Sequence, residues 1–141
     1  MKILILCTGN SCRSQMAHGF LQSVDDRLDV HSAGTEPALQ VNQTAVLVMK
    51  ETGIDISHHK PKLVDQYLGE KWDYVITVCD NAKETCPVFI GKVDHRLHMG
   101  FEDPSQSTGT EERILGNFRR VREEIKSSIQ TLYSTQIKPQ L

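Results

Sequence analysis

The chain opens with Lys2-Ile3-Leu4-Ile5-Leu6, an aliphatic run of strand length that ends at Cys7 in the small polar stretch Thr8-Gly9-Asn10-Ser11. A continuous apolar run bounded by turn residues predicts a strand buried on both faces, as in a parallel sheet. From Ser14 the period changes. Met16, Ala17, Phe20, Leu21 and Val24 recur at helical spacing, with Ser14 placed to cap the helix. Asp29 to Ala33 predicts a second, short strand stopped by Gly34, and Gln43 to Thr52 a second helix stopped by Gly53. Asp73 to Val78 is strongly β-prone, and Val93 to His98 alternates apolar and polar as an edge strand does.

The last third has the clearest period. Ile114, Leu115, Phe118, Val121, Ile125, Ile129 and Leu132 follow a start signal of Thr108/Thr110 and Glu111-Glu112, predicting a long amphipathic helix. Its opposite face, with Arg119, Arg120, Arg122, Glu123, Glu124 and Lys126, reads as solvated, and the polar segment 134–141 with Pro139 as a frayed tail. Strands alternating with helices predict an α/β fold: a flavodoxin-like, doubly wound, four-stranded parallel sheet with helices on both faces. No repeat or linker divides residues 1–141, so one domain is expected. Such sheets bind ligands beyond the carboxyl ends of their strands.

Composition narrows the function classes. The chain has 141 residues, 16 Lys+Arg against 18 Asp+Glu, and a formal charge of -2. A domain of this size buries enough surface to dispense with disulfide or metal staples. The weakly acidic balance gives no support for nucleic acid or a membrane surface as partner. No apolar stretch approaches the ~20 residues of a membrane span, and the opening run is too short for a signal sequence. A reducing cytoplasmic compartment is the expectation, where the 4 cysteines are available for chemistry.

Cys7-Thr8-Gly9-Asn10-Ser11-Cys12-Arg13-Ser14 puts a cysteine at the carboxyl end of a strand and an arginine six residues on, where a helix begins. Small residues between them let successive backbone N–H groups turn inward as an anion nest, reinforced by the helix dipole. Thr8, Gly9, Asn10, Ser11, Cys12, Arg13 and Ser14 are the expected oxyanion-binding residues. Arg13 can clamp two oxygens with its planar fork. The same field favours a thiolate at Cys7. Ser14 is a candidate donor to that sulfur and Asn10 a candidate brace across the loop, while Cys12 is expected to take no redox step.

Cys79 follows the strand 73–78 and so emerges at the same edge, with Cys86 seven residues on. If Cys7 bonds a reducible oxyanion centre, Cys79 can attack that sulfur, expel the reduced product and leave a disulfide, which Cys86 then takes over. Two plainer readings are inert core cysteines and a zinc site with His95 and His98. Three apart on a strand, those histidines point to opposite faces, so no metal is expected. Asp103, in Gly100-Phe101-Glu102-Asp103-Pro104, also falls at the carboxyl edge, either as a general acid or simply as a turn former.

Together with Gln15-Met16-Ala17, Ser32-Ala33-Gly34-Thr35, Cys86-Pro87 and Gly109-Thr110-Glu111-Glu112, these segments resemble the thioredoxin-coupled arsenate reductases, built on the low-molecular-weight tyrosine phosphatase fold. The resemblance runs through nearly the whole chain in order. It implies arsenate as substrate, with phosphate or sulfate as mimics, and a role in arsenical resistance. It further implies attack by Cys7, anion binding by Arg13, acid catalysis by Asp103, and a disulfide relay through Cys79 and Cys86 that reduced thioredoxin resets. No bound cofactor is expected, and the chain is expected to act as a monomer. Some members bind potassium beside the loop; His18, Lys60 and Lys62 stand at the matching positions here, so no potassium site is expected, and Lys60 or Lys62 is a candidate source of positive charge near Asn10. The alternative is a tyrosine phosphatase of the same fold. Ser105 after Pro104, and no aromatic in Thr35-Glu36-Pro37-Ala38, weigh against a phenol ring as substrate. A sensor using the same thiols without turnover is a third reading.

Overall fold

In the computed structural model, residues 1–78 and 91–141 are described. Four parallel strands, β1 (Lys2–Cys7), β2 (Asp29–Gly34), β3 (Trp72–Thr77) and β4 (Val93–His98), lie in the order β2-β1-β3-β4. This is the expected α/β sheet. β1 is central, pairing Ile3 with Val30 on one side and with Tyr74 on the other. That position explains its unbroken apolar run: Ile3, Ile5 and Cys7 enter one core, and Leu4 and Leu6 the other. β4 lies at an edge, and its alternation reflects that.

The helices are α1 (Arg13–Val24), α2 (Gln43–Lys50) and α3 (Glu111–Leu132). They share the larger core, where Met16, Phe20, Val48, Met49, Phe118, Val121 and Ile125 meet the β1 and β3 side chains. Among the described residues, the opposite face is covered by a 3-10 turn at Val64–Tyr67, with Val64 and Tyr67 packed on Leu4, Leu6, Trp72 and Val75. α2 is capped at its start by Asn42, which accepts from the N–H groups of Thr44 and Ala45. It ends two residues before the expected Thr52. Gly53, at φ +83, reverses the chain there and lets the Ile54 N–H return to the Met49 carbonyl. Thr110 caps α3 by accepting from the Arg113 N–H.

Three expectations are corrected. Ser14 does not cap α1; Cys12 occupies that position without a side-chain cap bond, and Ser14 sits inside the first turn with its hydroxyl turned back toward β1. The outer face of α3 is only partly solvated. Arg119 and Arg122 both bond the Glu51 carboxylate, and Arg122 also donates to the Val48 carbonyl, capping the end of α2. The tail does not fray: helical turns run over Tyr133–Ile137 and Lys138–Gln140, Ile137 is fully buried, and Gln140 donates to the Tyr74 hydroxyl at 2.7 Å. Burying that one apolar side chain holds a segment whose composition alone reads as loose.

Candidate active site

β1 stops at Cys7 because the next residues bend out of the sheet, and α1 starts at Arg13. Between them the loop curls around a cavity of about 260 Å³ lined by Cys7 through Arg13 and by Asp103, Ser105 and Gln106. A second segment straps the outside of the loop. The N–H groups of Thr35, Glu36, Ala38 and Asn42 donate to the carbonyls of Cys7, Thr8, Gly9 and Ser11 at 2.8 to 3.2 Å. C=O and N–H point in opposite directions in a planar trans peptide, so carbonyls held outward turn the N–H groups of Thr8, Gly9, Asn10 and Cys12 toward the interior. The anion nest expected from the small residues is thus built by an external strap. The approach is close: a Cβ on Gly34 would lie 2.3 Å from the Thr8 carbonyl oxygen.

At the base of the cavity Cys7 is buried, and its sulfur receives the Asn10 N–H at 3.1 Å and lies 2.9 Å from the Ser14 hydroxyl. The direction of that second contact follows from the neighbours. The Lys62 backbone N–H can only donate, and it meets Asn10 Oδ1 at 2.9 Å. Asn10 Nδ2 therefore faces Ser14, donating to its oxygen at 2.8 Å and leaving the hydroxyl proton for the Cys7 sulfur. Asn10 is fully buried and takes φ +49, a left-handed conformation that asparagine tolerates. The backbone there is held by Gln15 Nε2, which donates to the Asn10 carbonyl at 3.0 Å while His59 Nδ1 meets Gln15 Oε1 at 2.9 Å. Nothing local in the sequence marks His59 as a loop support, and for Gln15 the one local signal is its place immediately after Ser14. Lys62, one of the two lysines that are candidates for charge near Asn10, reaches Asn10 through its main-chain N–H.

Arg13 donates to the Phe101 carbonyl at 3.0 Å and pairs with Asp103 at 3.4 Å. Asp103 lies in the same cavity as Cys7 and also starts a 3-10 turn, accepting from the N–H and hydroxyl of Ser105 through Oδ1. Asp103 is thus the turn former that the sequence allows, and the same side chain also lines the cavity. Cys12 is buried, and burial, reinforced by Asp103 and opposed by Arg13, pushes its thiol well above the ordinary range; it stays protonated. Cys79 and Cys86 lie outside the described residues. His95 stacks on Tyr74 and His98 bonds Thr77, each on its own side of β4. Among the described residues no group of histidine, cysteine and acidic side chains is arranged to hold a metal. No described helix is long and apolar enough to cross a membrane.

A buried cysteine at the carboxyl end of a central parallel strand, facing inward N–H groups and an arginine at a helix start, defines the class of cysteine-dependent oxyanion-binding loops. Within that class the chain belongs to the low molecular weight phosphotyrosine protein phosphatase family, which it matches over residues 2–141. It is 48% identical over 134 residues to an arsenate reductase of Halalkalibacterium halodurans, covering 94% of this chain and 95% of that one. It is 44% identical to an arsenate reductase of Bacillus subtilis over the same shares. Among solved structures, an arsenate reductase in the phosphate binding state superposes with a TM-score of 0.80 at 30% identity, covering 94% of this chain and 96% of that one. A low molecular weight protein tyrosine phosphatase from T. tengcongensis superposes at 0.76 with 26% identity, covering 95% and 98%.

Proposed function

We propose that the protein reduces arsenate to arsenite by a three-cysteine relay. What carries the reading is the Cys7 sulfur, buried under two hydrogen-bond donors at the base of a loop whose N–H groups turn inward, in a chain whose relatives are named arsenate reductases. The donors favour the thiolate, and the inward N–H groups of Thr8, Gly9, Asn10 and Cys12 with Arg13 neutralise the bound anion. Arg13 is held at the rim by the Phe101 carbonyl, and as it swings its fork onto arsenate it gives up part of its contact with Asp103. Asp103 then takes up a proton and passes it to the departing oxygen as the Cys7 sulfur bonds arsenic and water leaves.

The Cys79 thiolate attacks the Cys7 sulfur. The sulfur–arsenic bond breaks with its electron pair going to arsenic, which leaves as arsenite, and a Cys7–Cys79 disulfide remains. Two thiols have supplied the two electrons. Cys86 attacks Cys79, freeing Cys7 as a thiolate, and the dithiol of thioredoxin reduces the Cys79–Cys86 disulfide. The chain acts as one domain and as a monomer, in a reducing cytoplasmic compartment, without potassium. Steady-state oxidation of NADPH with arsenate, thioredoxin and its reductase tests this: Cys7→Ser, Cys79→Ser and Cys86→Ser each lose multiple turnover. Full turnover in Cys86→Ser refutes the relay. Family membership favours hydrolysis of phosphate monoesters as the second reading; rapid hydrolysis of 4-nitrophenyl phosphate with no arsenate-dependent NADPH use would establish it instead.

A further inference from the structure

Behind the loop lies a second cavity, of about 230 Å³, whose lining includes His18, His31, His58, His59, Lys60 and Lys62. Gln15, Ser32 and Tyr67 complete the wall, and among the described residues no carboxylate lines it. The imidazoles converge from three separate elements: His18 from α1, His31 from β2, and His58 and His59 from the segment after α2. His59 is 4.4 Å from His18 and 4.6 Å from His58, ring centre to ring centre. This packing is costly in charge. His18 is lowered to about 3, by burial first and then by His59, His31 and His58; His59 is lowered by burial and by His58, with Asp55 opposing. The nearby acids are already engaged at the margin, Asp29 with His31 Nε2 at 2.9 Å and Asp55 with the Ser57 N–H. His18 and His59 thus sit where burial and neighbouring rings resist protonation, beside two lysines and with no carboxylate among the described residues of the wall.

We propose that this cavity is a second anion site, which takes a small tetrahedral oxyanion on imidazole and ammonium donors. The ring geometry argues against a metal: His18 and His59 lie face to face with their planes 30° apart, and their Nδ1 atoms already meet Ser32 and Gln15. An anion supplies the missing counter-charge. Its binding draws protons onto the imidazoles, so affinity rises as pH falls through the histidine range. The site adjoins the Cys7 loop, because Gln15 and the Lys62 main chain reach from this wall to Asn10. An ion seated here therefore bears on the loop's conformation without entering it.

Sulfate is the probe, because it does not titrate in this range and carries no reducible centre. Histidine and loop-amide resonances of the full chain are followed by NMR at fixed pH while sulfate replaces chloride at constant ionic strength. Two saturating phases are expected: one moves the amides of residues 8–13, the other the ring signals of His18 and His59. The second phase should tighten about tenfold or more between pH 7.5 and 5.5, an uptake of about half a proton or more per ion. His58→Asn with Lys60→Gln, both exposed positions, should weaken the second phase about tenfold and leave the first in place. Ring signals that do not move, that move equally with chloride, that show no pH dependence, or that respond unchanged in the double variant would each overturn the site. Failure of the loop amides alone would count against the proposed function and leave this site standing.

Discussion

Ser14→Ala isolates the contact on which the reactivity of Cys7 depends. Ser14 is fully buried, its oxygen is occupied by Asn10 Nδ2, and its proton faces the Cys7 sulfur at 2.9 Å. A hydrogen bond to a charged group is worth about 1.5–3 kcal/mol, and 1.36 kcal/mol corresponds to a tenfold change in ionisation. Removing this donor should therefore raise the pH at which Cys7 half-ionises by about 1 to 2, with the Asn10 N–H still in place. Alkylation by iodoacetamide, resolved by peptide mass spectrometry across pH, reads this directly, with Cys12, whose thiol is pushed well above the ordinary range, as an internal control that stays unmodified. The variant also strands Asn10 Nδ2, at a cost of about 1–3 kcal/mol in stability, so urea unfolding is measured alongside. Ser14→Thr keeps the hydroxyl and should restore much of the profile. If Ser14→Ala folds and its Cys7 profile superposes on that of the wild type, the assigned direction of the hydrogen bond is wrong, and with it the role of the Lys62–Asn10–Ser14 chain.

Three further outcomes follow from the packing. Gly34→Ala should disable the loop, because the added carbon meets a backbone oxygen that cannot move aside; sulfate affinity at the loop amides should fall by more than tenfold, and a variant with full affinity would show that the strap can shift. Ile137→Ala should cost about 2–5 kcal/mol by urea unfolding, whereas a frayed tail would make it neutral. Glu51 is held at about 2 by Arg119 and, second among the favourable contacts, Arg122. Because its folded value is depressed, its contribution is complete above the ordinary carboxylate range and is lost as pH falls through 2. Glu51→Gln should lower the urea midpoint at pH 7, and the difference from wild type should close near pH 2; a difference that persists there would mean that packing, not charge, is responsible.

Much of this protein is written locally. The apolar run of β1, the β-prone β3 and the three- and four-residue steps of α3 emerged where their periods placed them, to within one to three residues at their ends. Each depends on contacts between near neighbours in sequence and on a single buried face. The Cys7 to Ser14 loop was legible for the same reason, since strand end, small residues, arginine and helix start all fall within eight positions. Other features required the sheet to form. Ser14 reads as a helix cap until the curl of the loop turns its hydroxyl onto Cys7, and Arg122 reads as solvated until α2 ends beneath it. His18, His31, His58 and His59 are scattered over some forty residues and share no period; only the β1–β2 register and the return of the chain after α2 bring their rings together. Sequence determined which segments could carry chemistry, because propensity and periodicity act over a few residues. Tertiary structure decided which way each side chain points, and therefore which donor meets which acceptor, because direction depends on contacts that close only when distant elements pack.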